Sequence, residues 1–591
     1  MKTKHLFLSA LTCLAFAACS NDDDAVQNPQ SENEKKAYLA VQFAMPGAGE
    51  TRAKGTYVAA EPQEYAAKDA AFFFFDNSGN AAATPCYIKN VSEMWEAPSH
   101  TSDVLDDEDK ESTIVLVVKN PKATLSKVVA VLNPSEKVKT LADKATVTPP
   151  ASGDNDYEID GVVAGSDVYL DQSPNGTSEN DLAKIVETYE TPKVTAVDAE
   201  GKETISGSFV MSNSVYLDGT NVVNATPVSG YLQNDRALAI ASPLVIHVER
   251  VWSKVSVKAD ENKALTTMTS IDSGKDLDDG SDLKLNVTGW WLNNTNLSTN
   301  LLKKLPEVTS ELNWNDKVDY RSYWADAYMP AGVASGTDPV TYDYYSKFGH
   351  AAYAENATNN FAKYCLENTS NTLYSYNGNN VNTQTQVVVA ATITTDGSTP
   401  IDVISYQGLL YTEADFLSKV VDYLQKEGYT DGGGNNIDAN DLTFVYNTTS
   451  NPNVVPQDYL AKVVVNTENL TSIKKGSASV ESSELNNELS TMFGKLKYWK
   501  DGQTYFFAKV THDYDADGNS KATPAIIRNH LYQVIVTGLT GLGTPVPNPD
   551  IPIIPVIPDE DTESFLACKI AVLKYRVVEQ EVTLGGDPNQ Q

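Results

Sequence analysis

Leu244-Val245-Ile246-His247-Val248-Glu249-Arg250-Val251-Trp252-Ser253-Lys254-Val255-Ser256-Val257 is dense in β-branched and aromatic residues, and it follows a Gly- and Asn-containing stretch, Asn221 to Asp235. Such a run reads as a strand. Runs of the same kind recur at Ala71 to Phe75, Thr113 to Val118, Lys127 to Leu132, Phe209 to Met211, Val387 to Ile393 and Leu531 to Thr537, bounded by Gly, Pro, Asn and Asp. Short strands punctuated by turn signals predict an all-β chain of the sandwich type. Because residues 244–257 begin a fresh set of strands, Pro243 is the expected boundary between a first body, residues 53–243, and a second, residues 244–543.

One helix stands out at Glu413 to Lys426, with Thr412 as cap, Gly428 as stop, and Phe416, Leu417, Val420, Val421 and Leu424 on one face. It is expected to pack across a sheet. A weaker helical pattern covers Asp181 to Glu187, which limits the expected helices to one or two short ones. Thr101 to Ser112, Ile271 to Asp282 and Thr430 to Asn440 are rich in Asp, Gly and Asn and read as long exposed loops. No fixed-period repeat implies a solenoid or propeller.

At 591 residues the chain is too long for one core and fits two to four domains by the ordinary size range. Acidic residues outnumber basic ones 78 to 45, for a formal net charge of -33. That sign repels nucleic acid and anionic membrane surfaces, so neither is an expected partner. It also keeps the protein soluble.

Residues 1–18 read as a signal peptide: Lys2, Lys4 and His5 are basic, Leu6 to Ala18 is apolar, and Phe16-Ala17-Ala18-Cys19 is a small-residue cleavage site ending in cysteine. Cleavage before Cys19 would free its amine and thiol for acylation, and several acyl chains anchor far better than one. An ordinary secretory signal beside a chance cysteine gives the same pattern. No later stretch is apolar for the 18 or so residues a membrane span needs. Besides Cys13 and Cys19, the cysteines are Cys86, Cys365 and Cys568, too few and too far apart for a disulfide framework.

Motifs for catalysis or cofactors are weak. The histidines at 5, 100, 247, 350, 512 and 530 have no spacing that sets two on one metal or one beside a nucleophile. Gly538 to Gly543 is glycine-rich but opens onto prolines, whereas a phosphate loop must open a helix. Asp513, Asp515, Asp517 and Gly518 imitate a calcium loop, yet Pro524 stands where a bidentate Glu is needed, so a hairpin turn is expected. Neither metal nor cofactor is expected, and no enzyme. With 78 acids, chance carboxylate pairs carry no glycosidase argument. A binding module is the alternative: Trp290, Trp291, Trp314, Tyr323 and Trp324 would offer stacking faces to a glycan if they were exposed.

The two ends of the chain carry the informative pattern. In Ala37 to Pro46, Leu39, Val41, Phe43 and Met45 alternate with Tyr38, Ala40, Gln42 and Ala44, a strand with one strongly apolar face. Gly47, Gly49, Glu50, Thr51, Arg52 and Ala53 follow, and Arg52 is the first arginine, with the next at Arg236. A small, polar segment is a preferred nicking site, so a trypsin-like protease would cut between Arg52 and Ala53. Losing a paired strand leaves a groove with unpaired backbone groups that demands a substitute.

At the other end, residues 544–564 form a Pro-rich linker, whose run from Thr544 to Pro558 spans roughly 45 Å if extended. Residues 565–591 then carry apolar alternation in two registers: Cys568, Ile570, Val572, Val578, Val582 and Leu584, with Ala571, Leu573, Tyr575 and Val577 opposite, and a register change near Lys574. Phe565 leads this segment. Five such side chains seated in a groove are worth about 8 to 15 kcal/mol before ordering losses.

Several segments resemble one family, the fimbrillins or type V pilins of Bacteroidales, in particular the shaft subunit of Mfa-type minor fimbriae. They are Lys36-Ala37-Tyr38-Leu39 through Met45-Pro46, Thr51-Arg52-Ala53, Val128 to Pro134, Val248 to Val255, Tyr364-Cys365-Leu366-Glu367-Asn368-Thr369, Arg528-Asn529-His530-Leu531-Tyr532 through Thr537-Gly538, and Phe565-Leu566-Ala567. Ser20-Asn21-Asp22-Asp23-Asp24 resembles the surface-export signal of that order's lipoproteins. The resemblance implies two transthyretin-like β-sandwich domains, a precursor held in the outer membrane by lipid on Cys19, and a propeptide, residues 19–52, removed by an arginine-specific protease. It further implies head-to-tail polymerisation with copies of the same chain by donor-strand exchange. The expected location is a cell-surface fimbrium that supports adhesion, with anchor and tip subunits as partners.

Overall fold

The computed structural model describes residues 36–44, 61–91, 113–119, 125–148, 156–160, 182–199, 202–214, 216–218, 221–223, 225–260, 263–304, 324–328, 342–343, 361–369, 373–376, 379–382, 384–446, 460–514, 520–546, 565–574 and 578–580. The fold is all-β with a few short helices.

A ten-stranded sheet orders its main path as Ala81–Ile88, Ala70–Phe75, Lys127–Leu132, Met211–Asn213, Leu244–Arg250, Lys36–Ala44, Thr113–Lys119, Asp156–Asp160 and Thr146–Thr148, with Thr226–Pro227 beside Lys127–Leu132. Its two end strands come into contact, so the sheet curls over on itself. Inside the curl lie Leu39, Phe72, Phe74, Leu116, Val128, Ala130, Ile246 and Val248. The Ala70–Phe75 strand is buried on both faces, because Phe73 and Phe75 enter a second cluster with Val129, Val131, Trp252, Leu301, Tyr364 and Leu366. This is why the run is apolar throughout instead of alternating.

Two further sheets form a two-layer sandwich. One layer has seven strands, Glu203–Ser206, Lys193–Val197, Lys363–Leu366, Trp252–Ala259, His530–Thr540, Phe565–Lys574 and Val578–Gln580 in that order. The other has five, Ile271–Asp276, Asp282–Asn293, Gln386–Thr394, Gln503–Lys509 and Thr544–Pro545. Val255, Val257, Tyr532, Val534 and Val536 from the first layer meet Leu285, Trp290, Val389 and Phe506 from the second.

Between Gln386–Thr394 and Gln503–Lys509, which are paired neighbours, the chain leaves to build a separate lobe. There Leu409–Thr412, Val403–Tyr406, Leu496–Trp499, Leu460–Val465 and Leu442–Val445 form a sheet, with the helices Glu413–Lys426 and Ser482–Phe493 sharing its core. Thr412 caps the first helix, its side chain accepting from the Asp415 N–H at 3.1 Å, and Phe416, Leu417, Val420 and Leu424 are buried, with Val421 packed at the margin.

Several expectations need correction. Residues 244–257 are two strands, not one: the chain breaks at Val251 and changes sheets there. The weaker helical stretch is not helical through to Glu187: Asp181 lies outside the described residues, Leu182 is helical, Ala183–Lys184 turn, and Val186–Thr188 is a strand paired with Ser298–Asn300. Ile271 to Asp282 and Thr430 to Asn440 are not free loops; Ile271–Asp276 pairs with Asp282–Asn293, and Tyr429–Asp431 pairs with Ile473–Lys475. Folded structure also continues past Gly543. There φ is +63°, and a Cβ would stand 2.4 Å from the Thr504 hydroxyl, so glycine lets the chain turn tightly and pair Thr544–Pro545 with Gln503–Lys509. Thr101 to Ser112 lies outside the described residues.

Candidate functional site

The first strand, Lys36–Ala44, is interior to its sheet. On one side it runs antiparallel to Thr113–Lys119, from Lys36 opposite Lys119 to Gln42 opposite Thr113. On the other it runs parallel to Leu244–Arg250, from Val41 opposite Leu244 to Ala44 opposite His247. Leu39 and Val41 are 0% exposed, and Ala40 between them is buried as well, so both faces are covered here. The short helix Arg236–Ala241 lies against this strand and against Thr113–Lys119. Phe43 lies within the strand; Met45, the Arg52 and Ala53 pair, and Cys19 fall outside the described residues. Lys36–Ala44 thus fills a slot whose walls are Thr113–Lys119 and Leu244–Arg250, and burial pulls the imidazole of His247, on the latter, down to about 3.

The last segment occupies an edge. Phe565–Lys574 pairs antiparallel with His530–Thr540, from Thr540 opposite Phe565 to His530 opposite Lys574, with a bulge between Val536 and Gly538. Val578–Gln580 then folds back on it, with Val572 opposite Val578 and Ile570 opposite Gln580. The two apolar registers of the sequence are therefore the two arms of a hairpin, and the change near Lys574 is a reversal of direction. Cys568, Ile570, Val572 and Leu573 lie on the first arm and Val578 on the second; Tyr575, Val582 and Leu584 lie outside the described residues.

A buried polar junction that spacing in the sequence did not reveal links the Leu244–Arg250 and Trp252–Ala259 strands to the segment before His530. Arg528 and Glu367 are both 0% exposed, and the guanidinium engages both carboxylate oxygens, with Nε to Oε2 at 3.0 Å. Arg528 also donates to the backbone carbonyls of Asn300 (2.9 Å) and Leu301 (3.3 Å). Lys303 Nζ meets Glu249 Oε2 at 3.0 Å, again with both side chains fully buried. Lys254 Nζ lies 3.1 Å from Glu64 and 2.6 Å from Glu203, and the Tyr364 hydroxyl donates to Glu64. Arg250 Nε donates to Asn529 Oδ1 at 2.9 Å, and the Ser253 hydroxyl to the Ile527 carbonyl at 2.5 Å.

These bonds tie together the segments Val248 to Val255, Tyr364 to Thr369 and Arg528 to Tyr532, which lie far apart in sequence. Burial pulls the Lys303 amine down, with the Arg528 charge adding to it against the Glu249 carboxylate. At Arg528 burial acts the same way, but the Glu367 carboxylate outweighs it and holds the guanidinium above its ordinary value. Among the described residues no group of three or more His, Cys, Asp or Glu is arranged to hold a metal.

Residues 497–581 match the family described as major fimbrial subunit protein type IV, fimbrillin, C-terminal. This stretch is similar to the carboxy-terminal region of fimbrillins. That region spans Gln503–Lys509, His530–Thr540 and the terminal hairpin, the elements that complete the second sandwich and bear its edge. No curated protein sequence matches the chain. Among solved structures, a fimbrillin from Porphyromonas gingivalis W83 is 11% identical over 93% of this chain and 98% of its own, with a TM-score of 0.31. The tip fimbrial protein Mfa3 of Porphyromonas gingivalis is 11% identical over 90% and 99%, at 0.31, and the anchor protein Mfa2 is 10% identical over 61% and 79%, at 0.17. Likeness this low assigns no role to the residues outside the fimbrillin region.

Other residues singled out in the sequence fall in place as follows. Trp290 is fully buried and Trp291 partly so, with Lys363 Nζ 4.2 Å and 4.7 Å from their ring centres, so Trp290 offers no face to a glycan. Trp324 is half-buried; Trp314 and Tyr323 lie outside the described residues. Cys86 and Cys365 are free and buried, and burial pushes the Cys365 thiol up to about 12. Thr511–Tyr514 and Ser520–Pro524 pair as a hairpin across the Asp-rich stretch. His512 and His530, unrelated by spacing, stack edge to face at 5.0 Å.

Proposed function

We propose that this chain is a structural subunit of a cell-surface fimbria, made as a lipoprotein, cut after Arg52, and polymerised head to tail by donor-strand exchange. One observation carries the reading: the strand ahead of the cleavage site is interior, whereas the final hairpin hangs on an edge. Removing Lys36–Ala44 strips backbone partners from two strands at once, and each buried side chain of the Leu39 and Val41 kind stands for about 1.5 to 3 kcal/mol of apolar burial. An edge hairpin costs far less to detach, and a vacated interior slot binds it more tightly than an edge does. The fimbrillin region at residues 497–581 supports the same assignment.

In this reading lipid on Cys19 holds the precursor at the outer membrane until an arginine-specific protease frees Ala53 as the new amino terminus. Polymer growth then follows because head-to-tail insertion does not close on itself. Other copies of the chain, and anchor and tip subunits, are the partners, and adhesion is the service of the assembled filament. No reaction is catalysed.

Arg52→Ala should yield full-length, lipid-bearing monomers and no heat-stable ladder on gels; ladders from that variant would end the processing part of the proposal. Deleting residues 565–591 should leave processed monomers that seed no filaments in electron micrographs. Filaments of normal length from the truncated chain would remove the donor role of the hairpin.

A further inference from the structure

The slot and the tail are mechanically coupled through one strand pairing. Leu244–Arg250, the slot wall, continues through Val251 into Trp252–Ala259. That strand pairs parallel with His530–Thr540, from Lys254 opposite Leu531 to Ala259 opposite Val536. His530–Thr540 has two sheet neighbours among the described residues, Trp252–Ala259 and the tail strand Phe565–Lys574. Once the tail is given to a neighbour, Trp252–Ala259 is the strand that still holds it.

We propose that this parallel pairing is the clamp that resists tension along the subunit, given the head-to-tail reading above. A pull from the slot reaches Trp252–Ala259 at its amino-terminal end. A pull on the tail reaches His530–Thr540 at its carboxy-terminal end, after the Thr544–Pro545 pairing and the bonds that Trp499 and Thr504 donate to the Leu542 carbonyl yield. Parallel neighbours drawn from opposite ends slide along each other. In that geometry the ladder bonds resist together, whereas peeling breaks them one by one.

The start of the sliding pair is also cross-linked. Ser253 Oγ holds the Ile527 carbonyl, the Asn529 N–H holds the Trp252 carbonyl at 2.9 Å, and Arg250 holds the Asn529 side chain. Arg528, between those residues, is fixed by Glu367 and by the Asn300 and Leu301 carbonyls. The segment that would have to move is therefore pinned by a charged group with no exposed surface, and withdrawing it would strand that charge.

The test is single-molecule pulling on the full chain with handles attached at Leu238 and Asn548, compared with handles at Leu409 and Val445 inside the lobe. Leu238, Leu409 and Val445 are all exposed. The first axis should rupture at clearly higher force than the second. Ser253→Ala should speed rupture along the first axis by about tenfold at fixed force, while its melting temperature stays near that of the parent. Equal or lower force along the first axis, or an unchanged rupture rate in Ser253→Ala, would overturn the clamp. The monomer suffices for this measurement, so failure of polymerisation in the tail-deleted chain is a separate result.

Discussion

At the residue scale, Arg528 and Glu367 show how much depends on groups that a linear reading sees only as isolated charges. Both are fully buried and each is the other's counter-ion, so neutralising one leaves the other charged without it. Glu367→Gln should lower the unfolding free energy by about 3 to 5 kcal/mol, measured by chemical denaturation. If the loss stayed near that of an ordinary surface substitution, the pair would be solvated in a way its burial denies. His247 gives a pH signature. Its folded-state pKa lies near 3 against an ordinary 6.5, so burial keeps it neutral while the unfolded chain takes up a proton. The stability from this group is complete above pH 6.5 and drains as pH falls toward 3, by at most about 1.4 kcal/mol per pH unit. Melting curves of His247→Gln should lose that part of the acid sensitivity; an identical pH profile would refute the assignment.

At the element scale, the helix Glu413–Lys426 was fully legible because cap, stop and apolar stripe agreed. Thr412→Ala should cost the lobe about 1 kcal/mol, visible as an earlier lobe transition in hydrogen exchange. The helix Ser482–Phe493 is fainter in the sequence, although Leu485, Leu489 and Phe493 are its buried face at four-residue spacing. Ser and Asn between them diluted the pattern. Ile271–Asp276 escaped for the opposite reason: Asp, Ser, Gly and Lys give no alternation, yet its ladder with Asp282–Asn293 makes it an edge strand. The first strand was legible from its own alternation. Its interior position was not, since pairing with Leu244–Arg250 is a contact across two hundred residues. The hairpin at the end was legible as apolar alternation but not as a reversal, because a slip of register and a turn write the same pattern.

At the scale of the whole molecule, the lobe leaves the body at the Val403–Trp499 pair and touches it again at Asp278, whose N–H donates to the Leu410 carbonyl at 2.7 Å and whose carboxylate lies 3.7 Å from Lys419 Nζ. Among the described residues, its core runs from Ile404 to Tyr498 and takes in none from outside that interval. Val403 and Trp499 themselves belong to the core of the second sandwich. Replacing residues 404–498 by an Asn-Gly turn should therefore leave the rest folded, with a cooperative melt and the hydrogen-exchange protection of Gln386–Thr394 retained. Loss of that protection would mean that the lobe supports the sandwich. The sandwich class was readable from strand density alone. The way the bodies share Phe73, Val129, Trp252 and Tyr364 was not, because a strand buried on both faces looks the same whether its second face meets a helix, a sheet or another body.

The first strand runs with one neighbour and against the other, and that asymmetry has a consequence for anything that replaces it. A ribbon entering in reverse would again find one parallel and one antiparallel neighbour, so the ladders admit both directions and the side chains that fill the pocket choose between them. A filament built on such joints has a leading and a trailing end that are chemically different: one offers an empty berth and the other a free tail. Its growth is a vector, and a cap suited to one end has no purchase on the other.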